Sequence, residues 1–319
     1  MKEKLCLTSI ALLISSGFIL QAQFCFNPIV NYTNLSGSSM TICAADYNND
    51  GKMDFATALA SGVSLLLQNN VGGFDTAVNV LPLIYSSALC TADFNGDGKM
   101  DLASHNNGPS DISILLGNGD GTFNVVPTTL SSGIFLNDDL CSADFNGDGK
   151  MDLALSTGYY QVLVWLGNGD GTFGSKTTIT TTSYISKQLI TADFNNDGKA
   201  DLATSNMVLL GDGAGSFVSG SVYGINNSSL VTDDFNGDGK LDIVCNTSSS
   251  SVVKGLNLYL GDGLGGFGSG VFFSLGDSAV TINPSRILLC SADFDGDGKK
   301  DLAAGNLKVN SGVYSSYVT

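Results

Sequence analysis

Short apolar stretches recur along the chain, and clusters of Gly, Asn and Asp bound them on either side. Ile112 to Leu116 (ISILL) and Val162 to Leu166 (VLVWL) are two of them, and both precede a Gly-rich turn. Apolar stretches of this length between turn residues predict β-strands. No segment has apolar residues at the 3.6-residue spacing of an α-helix over more than a short length. The pattern therefore predicts an all-β protein.

One nine-residue phrase occurs six times and sets the period of the chain. The copies lie at spacings of 47, 51, 49, 41 and 59 residues, and they begin at Asp46, Asp93, Asp144, Asp193, Asp234 and Asp293. A second phrase, a Gly-rich turn that ends in Phe, separates them, with its Phe at Phe74, Phe123, Phe173, Phe217 and Phe267. Four short strands per period of this length indicate the blades of a β-propeller.

The spacing of these landmarks predicts six four-stranded blades. Phe24 lies 22 residues before Asp46, which is the spacing expected between a turn Phe and the next phrase. We therefore expect residues 24–33 to supply the outermost strand of the last blade, so that N- and C-terminal strands pair and close the ring. Residues 308–319 lack the usual third-strand pattern, which leaves a seventh, irregular blade as the alternative.

The nine-residue phrase has the donor pattern of a calcium loop. Oxygen-bearing side chains stand at positions 1, 3, 5 and 9, Gly at position 6 permits a sharp turn, and the carbonyl of position 7 is a fifth donor. The loops contain no His or Cys, so zinc, copper and iron are disfavoured, while the ligand number favours Ca²⁺ over Mg²⁺. An EF-hand would need an acid at position 12, where Thr57, Ser104, Leu155 and Cys245 stand instead.

Six calcium ions are therefore expected, one in each loop. The predicted ligands of the first three loops are Asp46, Asn48, Asp50, Lys52 and Asp54; Asp93, Asn95, Asp97, Lys99 and Asp101; and Asp144, Asn146, Asp148, Lys150 and Asp152. Those of the last three are Asp193, Asn195, Asp197, Lys199 and Asp201; Asp234, Asn236, Asp238, Lys240 and Asp242; and Asp293, Asp295, Asp297, Lys299 and Asp301. Each lysine is included for its backbone carbonyl.

The phrase ADFNGDGKxDLA, followed by GNGDGTF, resembles the FG-GAP/VCBS repeats of integrin-α-like β-propellers. The resemblance covers nearly all of the chain after residue 22. It implies that each calcium loop joins the first and second strands of a blade on one face of the propeller. It also implies that ligands bind the opposite face.

Charge narrows the classes of partner. The formal net charge is -16, from 30 acidic and 14 basic residues, which argues against nucleic acid as a partner. The six loops hold 19 of the acidic residues, so six Ca²⁺ would bring the net charge to -4.

Residues 1–22 combine two lysines with an apolar run and predict a signal peptide, leaving 23–319 as the propeller. We expect a secreted or cell-surface protein without membrane insertion after cleavage.

A binding or adhesion module for a glycan or an extracellular protein is the expected function, and a monomer is the expected state. The candidate ligand contacts are the aromatic, His and Arg residues assigned to loops opposite the calcium face: Tyr85, His105, Phe135, Tyr159, Tyr160, Tyr184, Tyr223 and Arg286. His105 is assigned to a loop, and no Ser or Cys nucleophile with a patterned neighbourhood accompanies it, so catalysis is not expected. The alternatives are a calcium-dependent polysaccharide-degrading enzyme and a structural spacer in a longer surface protein.

Overall fold

A computed structural model shows the architecture of the chain. It describes residues 39–71, 73–82, 85–106, 111–126, 130–133, 139–157, 159–181, 183, 185, 188–204, 206–223, 229–246, 255–274, 288–294, 296–310 and 313–318. These residues form 24 β-strands and no helix, as the apolar pattern predicts. Within the same ranges, no helix is long and apolar enough to cross a membrane.

The described strands form six antiparallel sheets. The first contains β1 (Ser39–Ala45), β2 (Asp54–Leu59), β3 (Gly62–Leu66) and β4 (Val78–Pro82). The second contains β5 (Ser86–Ala92), β6 (Asp101–Asn106), β7 (Asp111–Gly117), β8 (Phe123–Val125) and β9 (Leu130–Ser131). The third contains β10 (Leu140–Ala143), β11 (Asp152–Ser156), β12 (Gln161–Trp165) and β13 (Thr177–Thr180).

The other three sheets repeat the pattern. The fourth contains β14 (Leu189–Ala192), β15 (Asp201–Thr204), β16 (Met207–Gly211) and β17 (Phe217–Val222). The fifth contains β18 (Leu230–Asp233), β19 (Asp242–Asn246), β20 (Gly255–Tyr259) and β21 (Val271–Ser274). The sixth contains β22 (Leu288–Ala292), β23 (Asp301–Asn310) and β24 (Val313–Val318).

Each sheet is a meander whose strands pair in chain order. In the third sheet, Leu153 of β11 pairs with Trp165 of β12, and Leu163 of β12 pairs with Thr178 of β13. The two middle strands of this sheet are apolar on both faces because sheets on either side cover them, and Trp165 is buried. The outermost strand β13 (TTIT) is mostly exposed and polar. Burial therefore falls from the middle of each blade to its outer edge.

The first strands of neighbouring sheets pack against one another around an axis. Contacts join β1 to β5, β5 to β10, β10 to β14 and β18 to β22. Repeated four-stranded meanders arranged in this way form a β-propeller. The last sheet contains three strands in the described ranges, as the spacing predicts. Its expected fourth strand, residues 24–33, lies outside the described residues, so the closure and the number of blades remain predictions.

Candidate functional site

The six nine-residue loops lie where the resemblance placed them. Each loop joins the first and second strands of its sheet, as the segment between β5 and β6 does. The glycine at position 6 has a left-handed backbone in every loop, with φ between 79° and 84°. That conformation is open to glycine and costly for other residues. The prediction that this glycine makes a sharp turn is confirmed.

The carboxylate at position 1 organises the backbone of its own loop. In the second loop, Asp93 Oδ1 accepts hydrogen bonds from the N–H groups of Gly96 at 2.7 Å and Asp97 at 3.1 Å. Asp93 Oδ2 accepts one from Gly98 at 2.8 Å. The third, fifth and sixth loops repeat all three contacts. The position-1 side chain therefore fixes the backbone of its own loop through local hydrogen bonds.

Positions 3 and 5 form the exposed part of the loop. Asn95 Oδ1 accepts the N–H of Asp97 at 3.0 Å, and Asp97 Oδ1 accepts the N–H of Lys99 at 3.0 Å. The other oxygen of the position-5 carboxylate faces the ammonium group of the position-7 lysine in all six loops, at 2.7 to 3.7 Å. In the first loop, the hydrogen bond from Lys52 lowers the pKa of Asp50.

The aspartate at position 9 has a different environment, because it begins the second strand and is buried. Asp101 Oδ2 accepts the N–H of Phe94 at 2.8 Å, and Asp101 Oδ1 accepts the N–H of Gly117, at the end of β7, at 2.7 Å. Burial raises the pKa of Asp101 to about 6. The charges of Asp93 and Asp97 contribute to this rise, which shows that the three carboxylates act on one another.

The same pair of bonds recurs in the other blades. Two backbone N–H groups, one from the loop and one from the third-strand end, bond to each of Asp54, Asp152, Asp201 and Asp242. In the sixth blade, Asp301 accepts the loop N–H of Phe294 at 2.9 Å. The position-9 aspartates therefore tie the loop to the sheet behind it.

The donor set of the loops fits a hard cation in part. Every predicted ligand is oxygen, and an ammonium group already lies against the position-5 carboxylate. Among the residues that the structure describes, however, no three acidic, His or Cys side chains come close enough to hold one ion. The convergence of four side chains on one ion stays a prediction. In the second loop, two backbone N–H groups bond to the position-9 carboxylate. Asp295, at position 3 of the sixth loop, lies outside the described residues.

Four loops are also joined to the Gly-rich turn of the next blade. The ring of Phe94 meets the ring of Phe173 edge-on, with 5.6 Å between centroids, and Gly171 donates its N–H to the Phe94 carbonyl at 3.0 Å. The other ring pairs span 5.4 to 6.1 Å and are Tyr47 with Phe123, Phe145 with Phe217, and Phe194 with Phe267. The sequence analysis did not predict this contact, although an aromatic residue at position 2 of all six loops indicates a shared packing role.

His105 is not in a loop, and this prediction is wrong. It lies in β6, whose central position buries it completely. Its Nδ1 is 3.0 Å from Ser87 Oγ, and its Nε2 is 3.4 Å from Ser132 Oγ. Burial lowers the pKa of His105 to about 4, so the imidazole is neutral at pH 7. Both serines are buried as well, so the group is an internal polar cluster and not a surface for a ligand.

The other predicted ligand contacts differ in how far their side chains are exposed. Tyr159 and Tyr160 lie between β11 and β12, at the end of the blade away from the loops, and are 52% and 50% exposed. Tyr85 is half-buried. Tyr223 packs against Tyr259 and its hydroxyl donates to the Thr204 carbonyl, so it does not present a free ring. Three candidates lie outside the described residues, namely Phe135, Tyr184 and Arg286.

A cavity of about 570 Å³ opens on the loop face between the third and fourth sheets. The position-1 carboxylates of two neighbouring loops, Asp144 and Asp193, line it together with Lys199 and Gly213. All four residues belong to the loops or to the Gly-rich turn. The cavity is thus part of the face that carries the calcium candidates and not of the opposite face.

Comparison with solved structures shows the fold. An Agrocybe aegerita lectin that recognises non-reducing terminal N-acetylglucosamine matches with a TM-score of 0.59 and 19% identity, over 89% of this chain and 80% of that one. BBS1N, solved in complex with ARL6DN, matches with a TM-score of 0.55 and 14% identity, over 88% of this chain and 79% of that one. The comparison with curated proteins gives no match.

One family model matches the chain at the repeated nine-residue phrase. The model of the FG-GAP-like repeat matches four times, over residues 46–104, 93–155, 144–204 and 234–304. Each match begins at position 1 of one nine-residue loop and extends past the next loop, apart from the gap between residues 204 and 234. The matches together cover most of the chain. The chain therefore belongs to the FG-GAP-like repeat family.

Proposed function

We propose that the chain is a secreted, calcium-binding β-propeller that acts as a binding module for a glycan or an extracellular protein, and not as an enzyme. Calcium binding is proposed because one oxygen-rich loop occurs six times. In four of these loops, the same backbone N–H group bonds to the position-1 carboxylate. The expected signal peptide supports secretion.

Positions 1, 3 and 5 would hold each ion through side-chain oxygens, and position 7 would add its carbonyl. The position-9 aspartate would add a carboxylate oxygen, which already accepts a backbone N–H, as the oxygens of position 1 do. Bound calcium would supply positive charge that neutralises the loop carboxylates. Because each loop joins two strands of a blade and four of the loops contact the next blade, we expect this charge to stabilise the fold.

Exposed aromatic rings support the ligand part of the proposal. Tyr159 and Tyr160 present half of their surface at the end of the third blade, opposite the loops. Exposed aromatic rings stack on sugars and anchor protein partners at low entropic cost. The glycan-binding lectin with the same fold makes a glycan the first ligand class to test.

A glycan array in millimolar Ca²⁺, followed by titration of the best glycan, tests this function. We expect binding that falls at least tenfold in the double variant Tyr159→Ala, Tyr160→Ala. Phe273→Ala is the matched control, since it removes an equally exposed ring from the outer strand β21. If no glycan binds, or if both variants bind as the wild type does, the glycan-binding site at these tyrosines is refuted.

A further inference from the structure

Each loop carries a cation of its own in the position-7 lysine. The six ammonium groups lie 2.7 to 3.7 Å from a carboxylate oxygen at position 5. This carboxylate is one of the predicted calcium ligands. The lysine carbonyl and the lysine charge thus belong to the same loop but act on an incoming cation in opposite directions, because the carbonyl attracts it and the ammonium group repels it.

In four blades, a glycine of the Gly-rich turn lies against the aliphatic part of the lysine side chain. A Cβ added to Gly169 would lie 3.0 Å from Lys150 Cδ, and one added to Gly213 would lie 2.9 Å from Lys199 Cδ. The turn glycines therefore leave space that the aliphatic part of the lysine fills. In the sixth blade, no such turn sequence follows Lys299, and its side chain is 82% exposed, against 38% for Lys99. The ammonium group of Lys299 nevertheless lies 3.1 Å from Asp297.

We propose that the position-7 lysine is a tethered competitor of calcium, which stabilises the metal-free loop and weakens the affinity of that loop for the ion. This inference rests on the proposed calcium function, whose affinity it explains. A freely solvated lysine would contribute little, since exposed ion pairs are weak. In the four blades with this glycine contact, the turn lies against the stem and the carboxylate pairs with the ammonium group, so the charge stays beside the site.

The direction of the effect follows from Coulomb's law. An ammonium group within several ångströms of a divalent ion in a largely aqueous setting opposes its binding by about threefold to tenfold per site. In the absence of calcium the same charge offsets the repulsion among the loop carboxylates. Removal of the charge should therefore have opposite effects in calcium and in chelator.

The test compares two sets of substitutions in the full-length chain. In one, Met replaces the lysine and keeps an unbranched stem without charge; in the other, Arg keeps the charge. The six positions are Lys52, Lys99, Lys150, Lys199, Lys240 and Lys299. A triple variant at Lys99, Lys150 and Lys199 serves if the sixfold Met variant does not fold. Calorimetric titration with Ca²⁺ gives the mean Kd, and melting curves in chelator and in calcium give the Tm.

We expect the Met variants to bind calcium about threefold to tenfold more tightly per substituted site and to melt at a lower temperature in chelator. The Arg variants should match the wild type in both measurements. Unchanged or weaker binding in the Met variants, with normal binding by the wild type, refutes the inference alone. A wild type that binds no calcium refutes the proposed function and this inference together.

Discussion

Replacement of Asp101 by Ala tests whether the position-9 aspartate supports the blade independently of calcium. The carboxylate is fully buried and accepts two backbone N–H groups, from Phe94 at 2.8 Å and from Gly117 at 2.7 Å. A buried donor left without an acceptor costs about 1 to 3 kcal/mol. Two such donors give an expected loss of about 2 to 6 kcal/mol in the free energy of unfolding. Asp101→Asn keeps one acceptor and should lose less.

Urea denaturation in excess chelator measures this loss without a contribution from metal binding. Asp97→Ala is the matched control, since it removes an exposed carboxylate from the same loop and should cost much less. Equal losses in Asp101→Ala and Asp97→Ala would refute the reasoning. They would mean that the two buried N–H groups find other acceptors and that the aspartate does not tie the loop to the sheet.

Three further predictions concern His105, the rings between blades and calcium. Burial lowers the pKa of His105 to about 4, so the unfolded chain takes up a proton before the folded chain does as the pH falls below 6.5. The free energy of unfolding should therefore fall by about 3 kcal/mol by pH 4, and parallel pH profiles of wild type and His105→Gln would contradict this. Phe94→Ala removes a buried ring and should lower the free energy of unfolding, measured by chemical denaturation, by about 3 to 5 kcal/mol. Phe294→Ala removes a ring that is 38% exposed and should lower it clearly less. Equal losses would contradict a stabilising role for the ring contact between blades. About 2 mM Ca²⁺ acting on six sites with a Kd of about 0.1 mM should add about 11 kcal/mol of stability. Melting curves that coincide in chelator and in calcium would contradict that estimate.

The local features of the fold could be read from the sequence because neighbouring residues determine them. The apolar stretches of β7 and β12 and the turn residues beside them predict strands, and the loop before each second strand is where the resemblance to FG-GAP repeats placed it. The glycine at position 6 was predicted from its turn, and it has the left-handed φ that the turn requires. These features depend on contacts within a few residues.

The contacts between blades could not be read in the same way. Phe94 and Phe173 stand far apart in the sequence, and their pairing depends on how two meanders pack. The Asn106 and Asn107 that follow His105 suggest a loop, yet β6 continues to Asn106, and its place between β5 and β7 leaves the imidazole buried. Asp101 was read only as a ligand, because the sequence does not show that Gly117, sixteen residues later, donates to it.

Calcium stoichiometry tests the central claim most directly. Residues 23–319 are equilibrated by dialysis against millimolar Ca²⁺, and protein and bound calcium are then measured by elemental analysis. Six loops with one shared pattern predict about six ions per chain. Two or fewer ions per chain would contradict the calcium function and would leave the six phrases as polar turns that fold around their own aspartates.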